Sequence, residues 1–389
     1  MNRLPRLVIR NHQSPGDVVM LTAAVRDLHQ NHKGKFITDV RTPCPHLWEN
    51  NPYLSRLAND EPGIEVIKSG HPLIHRSNTG PWHFIHGFSQ HLAEKLGVTF
   101  QPGEFKGDIH LSAKEMSWIS QVQEITCAPV SFWIVAADGK FDFTAKWWEH
   151  ARYQAVVNHF RERVVFVQVG EKAHHHPPLR GVLDLRGKTD LRQLVRLMHH
   201  AQGVLCPVTL HMHLAAAVPV RQGMPKNRPC VVVAGGREPS QWEAYPHHQY
   251  LHTNGALRCC DNGGCWKARV VPLGDGDKKD EPKNLCVDVV ELATGRRQKG
   301  EAWGRENVQL SLRQAQGLAA TSNAQRSMRA PDTVSPSPIT TAAFLPRCLD
   351  LISAEEVARR IELYFDGGAI PYLSRTEARN AAETIPALG

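Results

Sequence analysis

The chain has 389 residues, of which 41% are hydrophobic and 22% charged, and its formal net charge is +8. This length predicts two domains, and the lack of any run of 18 apolar residues argues against a membrane-spanning helix. Residues 294–330 hold seven lysines and arginines against two glutamates, so most of the excess charge falls in one segment and argues against a nucleic-acid-binding surface. The N-terminus is too charged for a signal peptide. We therefore expect a cytoplasmic protein with at most peripheral membrane contact and no nucleic-acid partner.

The first 128 residues open with the pattern of a βαβ unit. Residues 7–10 predict a strand, and after a turn the periodic apolar residues from 18 to 32 predict a helix. Further strands are predicted at 36–40 and, more weakly, at 64–67. This order is typical of a parallel sheet, so we expect residues 1–128 to form an N-terminal, acceptor-binding Rossmann-like domain.

The same pattern restarts after residue 128. Apolar strands alternate there with amphipathic helices, which predicts a second doubly wound domain at residues 129–292 that binds a nucleotide sugar. Its ligand would lie between the domains, at the carboxyl ends of the strands. The predicted strands are 130–135, 164–169, 203–206 and 229–236, and the predicted helices are 150–160, 189–198 and one that begins at 212.

The remaining chain divides at residue 342. Residues 293–342 are rich in Gly, Gln, Ser, Ala and Pro, a composition that predicts a flexible insertion. Residues 343–389 then supply a C-terminal helix and tail. That helix begins with a capping box, Ser353 to Glu356.

Four cysteines, Cys260, Cys265, Cys286 and Cys348, give the sharpest chemical signal. Thiolates gathered from Gly-rich turns suit a closed tetrahedral site for structural iron or zinc, and the ligand type does not separate the two metals. The alternatives are scattered thiols or, in an exported protein, two disulfides. Cys259 is an alternative ligand to Cys260, because adjacent side chains in an extended turn point opposite ways.

Five segments in chain order carry a family resemblance. They are GDVVMLTAAV at 16–25, NNPY at 50–53, LRGKTDLR at 185–192, TLHMHLAAA at 209–217 and AGGREPSQW at 234–242. Together they resemble glycosyltransferase family 9, the ADP-heptose lipopolysaccharide heptosyltransferases. The resemblance covers most of the chain outside the predicted insertion.

The resemblance implies an α/β GT-B fold, in which two doubly wound Rossmann-like domains face each other across a cleft. It also implies an inverting transfer of a sugar, such as a heptose from ADP-heptose, to a glycan, lipopolysaccharide or protein acceptor, without a catalytic metal. In the autotransporter heptosyltransferase branch, four cysteines hold a structural iron. Cys348 resembles the cysteine that precedes the last long helix there. The oligomeric state stays open.

One segment departs from the family pattern. Cys206, Pro207 and Val208 stand where the family has an Asn-Asp pair. The loss of this acidic residue supports an alternative hypothesis, a catalytically degenerate nucleotide-sugar-binding protein of the same fold.

The resemblance assigns Asp17 as the base that deprotonates the acceptor, since it follows the Pro15-Gly16 turn at a helix N-terminus. The alternative is a carboxylate that caps the helix. For the donor diphosphate, the loop after the first strand of the second domain offers Lys146, with Lys140 as the alternative, and the hydroxyl of Thr144.

A second predicted donor contact is the helix that begins near Met212, because backbone amides at a helix N-terminus bind phosphate. Thr209 and His213 belong to the same segment. His213 either orients the loop or is a buried structural histidine.

Overall fold

The computed structural model describes residues 4–58, 62–71, 73–299 and 343–385. Helices and parallel strands alternate along most of this chain. The strands are β1 Arg6–Arg10, β2 Ile37–Arg41, β3 Ile64–Lys68, β4 Phe132–Val135, β5 Val165–Gln168, β6 Leu183–Asp184, β7 Gly203–Pro207, β8 Cys230–Gly235, β9 Gln249–His252, β10 Asp288–Glu291, β11 Arg296–Lys299 and β12 Phe344–Pro346. The helices are α1 Pro15–Asn31, α2 Phe84–Leu96, α3 Ala113–Met116, α4 Gln121–Thr126, α5 His150–His159, α6 Leu191–His200, α7 Leu210–Ala217, α8 Ser240–Glu243, α9 Arg347–Asp350, α10 Ala354–Asp366 and α11 Arg375–Thr384.

The N-terminal sheet has three parallel strands in the order β2-β1-β3. Its central strand carries Leu7, Val8 and Ile9, each at most 1% exposed, because parallel strands are covered on both faces. Helix α1 packs against α2 and against α7, which belongs to the second half of the chain. The start of α1 is therefore held close to the C-terminal half.

The second sheet has six parallel strands in the order β6-β5-β4-β7-β8-β9. All six residues of β8 are buried, as its uninterrupted apolar sequence predicts. The strand order reverses direction at β4, between β5 and β7, and this is the switch point at which doubly wound sheets bind ligands. Helix α10 covers the sheet by packing on α5 and β8, while α11 contacts α4.

A third, antiparallel sheet of order β11-β10-β12 was not predicted from the sequence. It extends into the segment predicted to be a flexible insertion, since residues 296–299 form β11. The rest of that prediction, residues 300–342, lies outside the described residues. The domain boundaries at 128, 292 and 342 stay predictions. Within the described ranges, no helix combines the length and apolar character needed to cross a membrane.

Candidate functional site between the two parallel sheets

Asp17 lies in the first turn of α1, and its carboxylate does not cap the helix. The N-cap residue is Ser14, and no side chain accepts a capping hydrogen bond there. Asp17 Oδ1 lies instead 3.3 Å from Nε2 of His71, and the Asp17 side chain keeps 23% of its surface exposed. The predicted alternative, a cap, is therefore wrong, and the carboxylate is open on one side.

Helix α1 approaches the C-terminal half so closely that a side chain at position 16 would crowd it. A Cβ atom there would lie 3.0 Å from Cδ2 of His213, in α7. Asp17 is thus placed at the boundary between the two halves of the chain by the packing of α1 on α7.

Lys146 comes to the same boundary from the other side, at the end of a short 3₁₀ segment after β4. Its Nζ lies 2.7 Å from Oε1 of Glu238 and 3.3 Å from the carbonyl oxygen of Val208. Glu238 also pairs with Arg237. Burial alone would raise the pKa of Glu238. The charges of Arg237 and Lys146 outweigh burial and hold this pKa below its ordinary value. Lys146 is therefore a partly exposed cation held beside a buried carboxylate.

A second buried carboxyl, Glu243, is influenced by the charges of both Asp17 and Lys146. Burial, then the charge of Glu238, raises the pKa of Glu243 well above its usual range, and Asp17 acts in the same direction while Lys146 opposes it. One Glu243 oxygen has no hydrogen-bond partner among the described residues.

His213 is a buried histidine whose ring orientation is determined by its contacts. Its Nδ1 lies 2.8 Å from the hydroxyl of Tyr245, which in turn donates to Sδ of Met20 at 3.0 Å. Its Nε2 lies 3.7 Å from Oε2 of Glu243, and burial lowers the pKa of His213 well below its usual value. A neutral imidazole here joins α1, α7 and the loop after α8.

The start of α7 leaves its amides without a side-chain cap. Thr209 is the N-cap residue, but its hydroxyl contacts the carbonyl oxygen of Pro207 at 3.4 Å and Nδ1 of His211 at 3.1 Å. Met212 is fully buried beneath this turn. The helix end nearest Gly16 and Asp17 therefore presents backbone N–H groups.

The other two predicted donor contacts lie apart from Lys146. Lys140 donates to the Ser14 hydroxyl at 3.2 Å, so it bridges the two halves of the chain beside Asp17. Thr144 is fully buried, and its hydroxyl accepts the amide hydrogen of Val270 at 2.9 Å. The Thr144 hydroxyl thus holds a neighbouring loop, and its contact with a donor stays a prediction.

The turn after β4 is strained and polar. Asp138 adopts a left-handed backbone with φ of 61°, is buried, and has a pKa that burial raises well above its usual range. Its Oδ2 lies 3.7 Å from Nε2 of His175, whose ring stacks on Trp147 at 4.4 Å. Strained backbone of this kind clusters at functional sites, and this turn lies between β4 and the 3₁₀ segment that ends at Lys146.

The cysteines of the predicted metal site come together around the loop after β8. A Cβ atom on Gly236 would lie 2.9 Å from Sγ of Cys260 and 3.4 Å from Cβ of Cys348. Pairing of β10 with β12 brings the segment after Cys286 alongside the segment before Cys348, and the pKa of Cys286 is raised by burial and then by Cys265 and Cys348.

Cys259 also belongs to this cluster. The pKa of Cys265 is lowered to about 7, chiefly by a hydrogen bond with the Cys259 thiol. A hydrogen bond from the Lys267 amide and the charge of Arg237 act in the same direction, and together these effects outweigh burial. Cys260 instead donates to the carbonyl oxygens of Thr253 and Leu257. Because metals bind thiolates, the donor chemistry of this cluster fits a soft metal. Among the described residues, no three His, Cys, Asp or Glu side chains are spaced to hold a metal ion in this structure.

Comparison with known proteins finds a family to which part of the chain is similar. The sequence profile of glycosyltransferase family 9 (heptosyltransferase) matches residues 83–256. This matched part of the chain is similar to glycosyltransferase family 9. The comparison with curated protein sequences finds no match.

Solved structures agree with the fold. The dodecameric, iron-containing heptosyltransferase TibC in complex with ADP-D-β-D-heptose is similar with a TM-score of 0.51 and 14% identity, over 93% of this chain and 77% of that one. A family 9 glycosyltransferase from Veillonella parvula has a TM-score of 0.48 and 15% identity, over 64% of this chain and 86% of that one. ADP-heptose LPS heptosyltransferase II of E. coli has a TM-score of 0.42 and 15% identity, over 64% and 90%. The predicted GT-B fold is confirmed.

Residues 206–208, where the sequence departs from the family 9 pattern, lie beside Lys146. Val208 stands where the resemblance expects an acidic residue, and it offers Lys146 only its carbonyl oxygen. The carboxylate beside Lys146 is Glu238, from the loop that follows β8. An acidic partner for Lys146 is therefore present, but it comes from a different strand.

Sequence reasoning missed His71, Glu238, Glu243 and Tyr245. His71 follows β3 by three residues, and Glu238 follows β8 by three. Since ligands of doubly wound folds bind at the carboxyl ends of strands, a search for polar residues just after each strand would have found these two. Glu243 and Tyr245 lie near a helix end and carried no such signal.

Proposed function

We propose that the chain is an inverting glycosyltransferase that moves a sugar from a nucleoside-diphosphate sugar to a hydroxyl of a glycan, lipopolysaccharide or protein acceptor. ADP-heptose is the first donor to test, since TibC was solved with ADP-D-β-D-heptose. Its cytoplasmic location stays a prediction.

One observation carries the proposal: Asp17, on the N-terminal half, and Lys146, on the C-terminal half, both lie close enough to the buried carboxyl Glu243 to affect its pKa. A base and a cation on opposite walls of a cleft are what an inverting transfer needs, because the proton leaves the acceptor while negative charge develops on the departing diphosphate.

The reaction proceeds by a single displacement. The acceptor oxygen attacks C1 of the sugar from the face opposite the diphosphate, and its proton passes to the Asp17 carboxylate. The bond between C1 and the diphosphate oxygen breaks, and its electron pair leaves with the nucleoside diphosphate. Lys146 and the amides at the start of α7 stabilise this charge. The donor must compete with Glu238 for the Lys146 ammonium.

A structural metal completes the proposal. Cys265, Cys286 and Cys348 would hold iron or zinc, with either Cys260 or Cys259 as the fourth thiolate. When bound, such a metal supplies stability rather than chemistry, since a closed four-thiolate site has no open position. It would join the loop after β8 to β10 and α9.

The test of function begins with donor binding. Thermal shifts with ADP-, GDP- and UDP-sugars identify the donor, because a ligand that binds only the folded state raises its stability. ADP release from ADP-heptose, with water or added acceptor, then measures turnover. No shift with any nucleotide sugar would contradict the proposal.

Asp17→Asn should keep donor binding but lower turnover by roughly two to four powers of ten, the span of a general base. Glu362→Gln is the matched control, since Glu362 also lies against a histidine, His159 at 2.7 Å, on the far helix α10. Turnover of Asp17→Asn within about threefold of wild type would rule out this base.

The alternative, a degenerate binding protein, rests on the lost acidic residue at 206–208. It predicts the same donor-induced thermal shift with no ADP release above the level of Asp17→Asn. The turnover measurement therefore separates the two functions.

A further inference from the structure

His71 lies in a cage of aromatic rings on one face of α2. Its ring stacks on Phe84 with centroids 4.3 Å apart and planes at 6°, and Phe88 lies at 4.0 Å. A Cβ atom on Gly87 would lie 3.0 Å from Nδ1 of His71, so glycine admits the ring there. Residues 84, 87 and 88 share a helix face by their spacing. This face of α2 holds the imidazole in one orientation.

The caged ring points one nitrogen at the proposed base. The His71 side chain is 5% exposed, and Nε2 lies 3.3 Å from Asp17 Oδ1. Neither ring nitrogen meets the geometry of a hydrogen bond to any described residue. A buried polar group without a partner is destabilising. Asp17 Oδ1 is the acceptor at hand, and a small rotation of either side chain completes the bond.

We propose that His71 is a positioning residue for Asp17. Its Nε2–H donates to Oδ1, which turns the second oxygen, Oδ2, toward the acceptor hydroxyl. During transfer the acceptor O–H bond breaks and its proton goes to Oδ2, while His71 keeps its own proton. The inference rests on the proposed function, because it assumes that Asp17 is the base.

The surroundings explain why the carboxylate needs such a partner. Glu243 and Glu238 lie on the opposite wall, and Glu243 is in electrostatic contact with Asp17. Without a donor on its own side, the Asp17 carboxylate would be free to rotate toward Lys146, the cation on that wall. The Phe84 ring also lies 5.8 Å from the His213 ring and 5.3 Å from the Trp242 ring, and the Trp242 ring is 6.2 Å from that of His71.

Two substitutions at position 71 separate hydrogen bonding from packing. Phe keeps a flat ring between Phe84 and Phe88 but has no donor, whereas Gln keeps a donor nitrogen. We expect His71→Phe to lower kcat for ADP release from ADP-heptose roughly 10- to 100-fold with the donor KM unchanged, the effect of a misplaced catalytic group. His71→Gln should recover most of that loss. The control is His91→Gln, since His91 also lies on α2 and contacts the Lys68 carbonyl oxygen at 3.0 Å.

The outcomes are distinguishable from those of the proposed function. Full activity of Asp17→Asn overturns the base itself. Loss in Asp17→Asn with kcat of His71→Phe within about threefold of wild type overturns only the role of His71. In the Asp17→Asn background, His71→Phe should cause no further loss.

A spectroscopic measurement tests the pair without turnover. Ring ¹⁵N labelling of histidine, with the His71 signal assigned by its absence in His71→Phe, reports which nitrogen carries the proton. A proton on Nε2 supports the proposal. A neutral ring protonated only at Nδ1 cannot donate to Asp17 and overturns it.

Discussion

At the scale of single residues, Lys146 has two partners competing for it. In the structure it neutralises the buried Glu238, and in the proposed reaction it binds the donor diphosphate. Replacing it by alanine therefore changes stability as well as binding, because Glu238 keeps only Arg237 as a cation.

A double variant separates these effects. In a Glu238→Gln background no buried carboxylate is left without Lys146, so Lys146→Ala should weaken binding of ADP by roughly 1.5–3 kcal/mol, the range for hydrogen bonds to charged groups. Isothermal titration measures it. The comparison is Lys140→Ala, whose Nζ contacts the Ser14 hydroxyl. A larger loss with Lys140→Ala than with Lys146→Ala would exchange the two roles.

At the scale of elements, α3 and α6 join the two halves through one ion pair. Arg192 in α6 lies 2.6 Å from Glu115 in α3, and both side chains are at most 11% exposed. The hydrogen bond from Arg192, then those from Ser112, lower the pKa of Glu115 to about 2 against the opposing effect of burial. This contact lies between residues that the sequence assigned to different domains.

The Arg192–Glu115 pair should make the free energy of unfolding depend on pH in the acidic range. The pKa of Glu115 is lower in the folded state than in the unfolded state, where it is about 4.3. The ion pair therefore stabilises the fold fully above pH of about 4.3, and this stabilisation is lost as pH falls toward about 2. Glu115→Gln keeps the capping geometry and should lower the free energy of unfolding by about 1 kcal/mol at pH 7, with a smaller difference near pH 3.

Urea unfolding at both pH values measures this difference. Glu124→Gln is the control, since Glu124 pairs with Arg196 of the same helix but is 48% exposed. An equal effect of both variants on the free energy of unfolding would contradict the stabilising role of the Arg192–Glu115 pair. An effect of Glu115→Gln that does not change with pH would contradict it as well.

At the scale of the whole molecule, the cysteine cluster ties distant segments together. Protein purified without added metal should contain about one equivalent of iron or zinc, and Cys286→Ser should lower both the metal content and the unfolding temperature. Cys127→Ser is the control, because that cysteine is exposed.

Elemental analysis also chooses the fourth ligand. Whichever of Cys259→Ser and Cys260→Ser loses the metal identifies it. The contact of Cys259 with Cys265 favours Cys259. Less than about 0.2 equivalents of iron plus zinc in the wild-type protein, with free thiols by titration, would contradict the site.

The sequence by itself determined the parallel sheets and the order of their elements. Strands buried on both faces must be apolar throughout, so β1, β5 and β8 were predicted to within two residues at each end. Asp17 and Lys146 were predicted as site residues for a related reason: both lie in segments that follow a strand, and the resemblance to the family extends to them. Helices such as α2 gave a weaker signal and were missed.

Only the tertiary structure decided which side chains meet. His71 follows β3, whereas Glu238 and Glu243 follow β8, and no spacing along the chain reports that these segments meet near Asp17 and Lys146. The pairing of β10 with β12 likewise draws Cys286 toward Cys348 across 61 intervening residues. Local periodicity records whether a residue is buried, but contacts between distant loops depend on how α1 packs on α7, and that packing is a property of the folded chain alone.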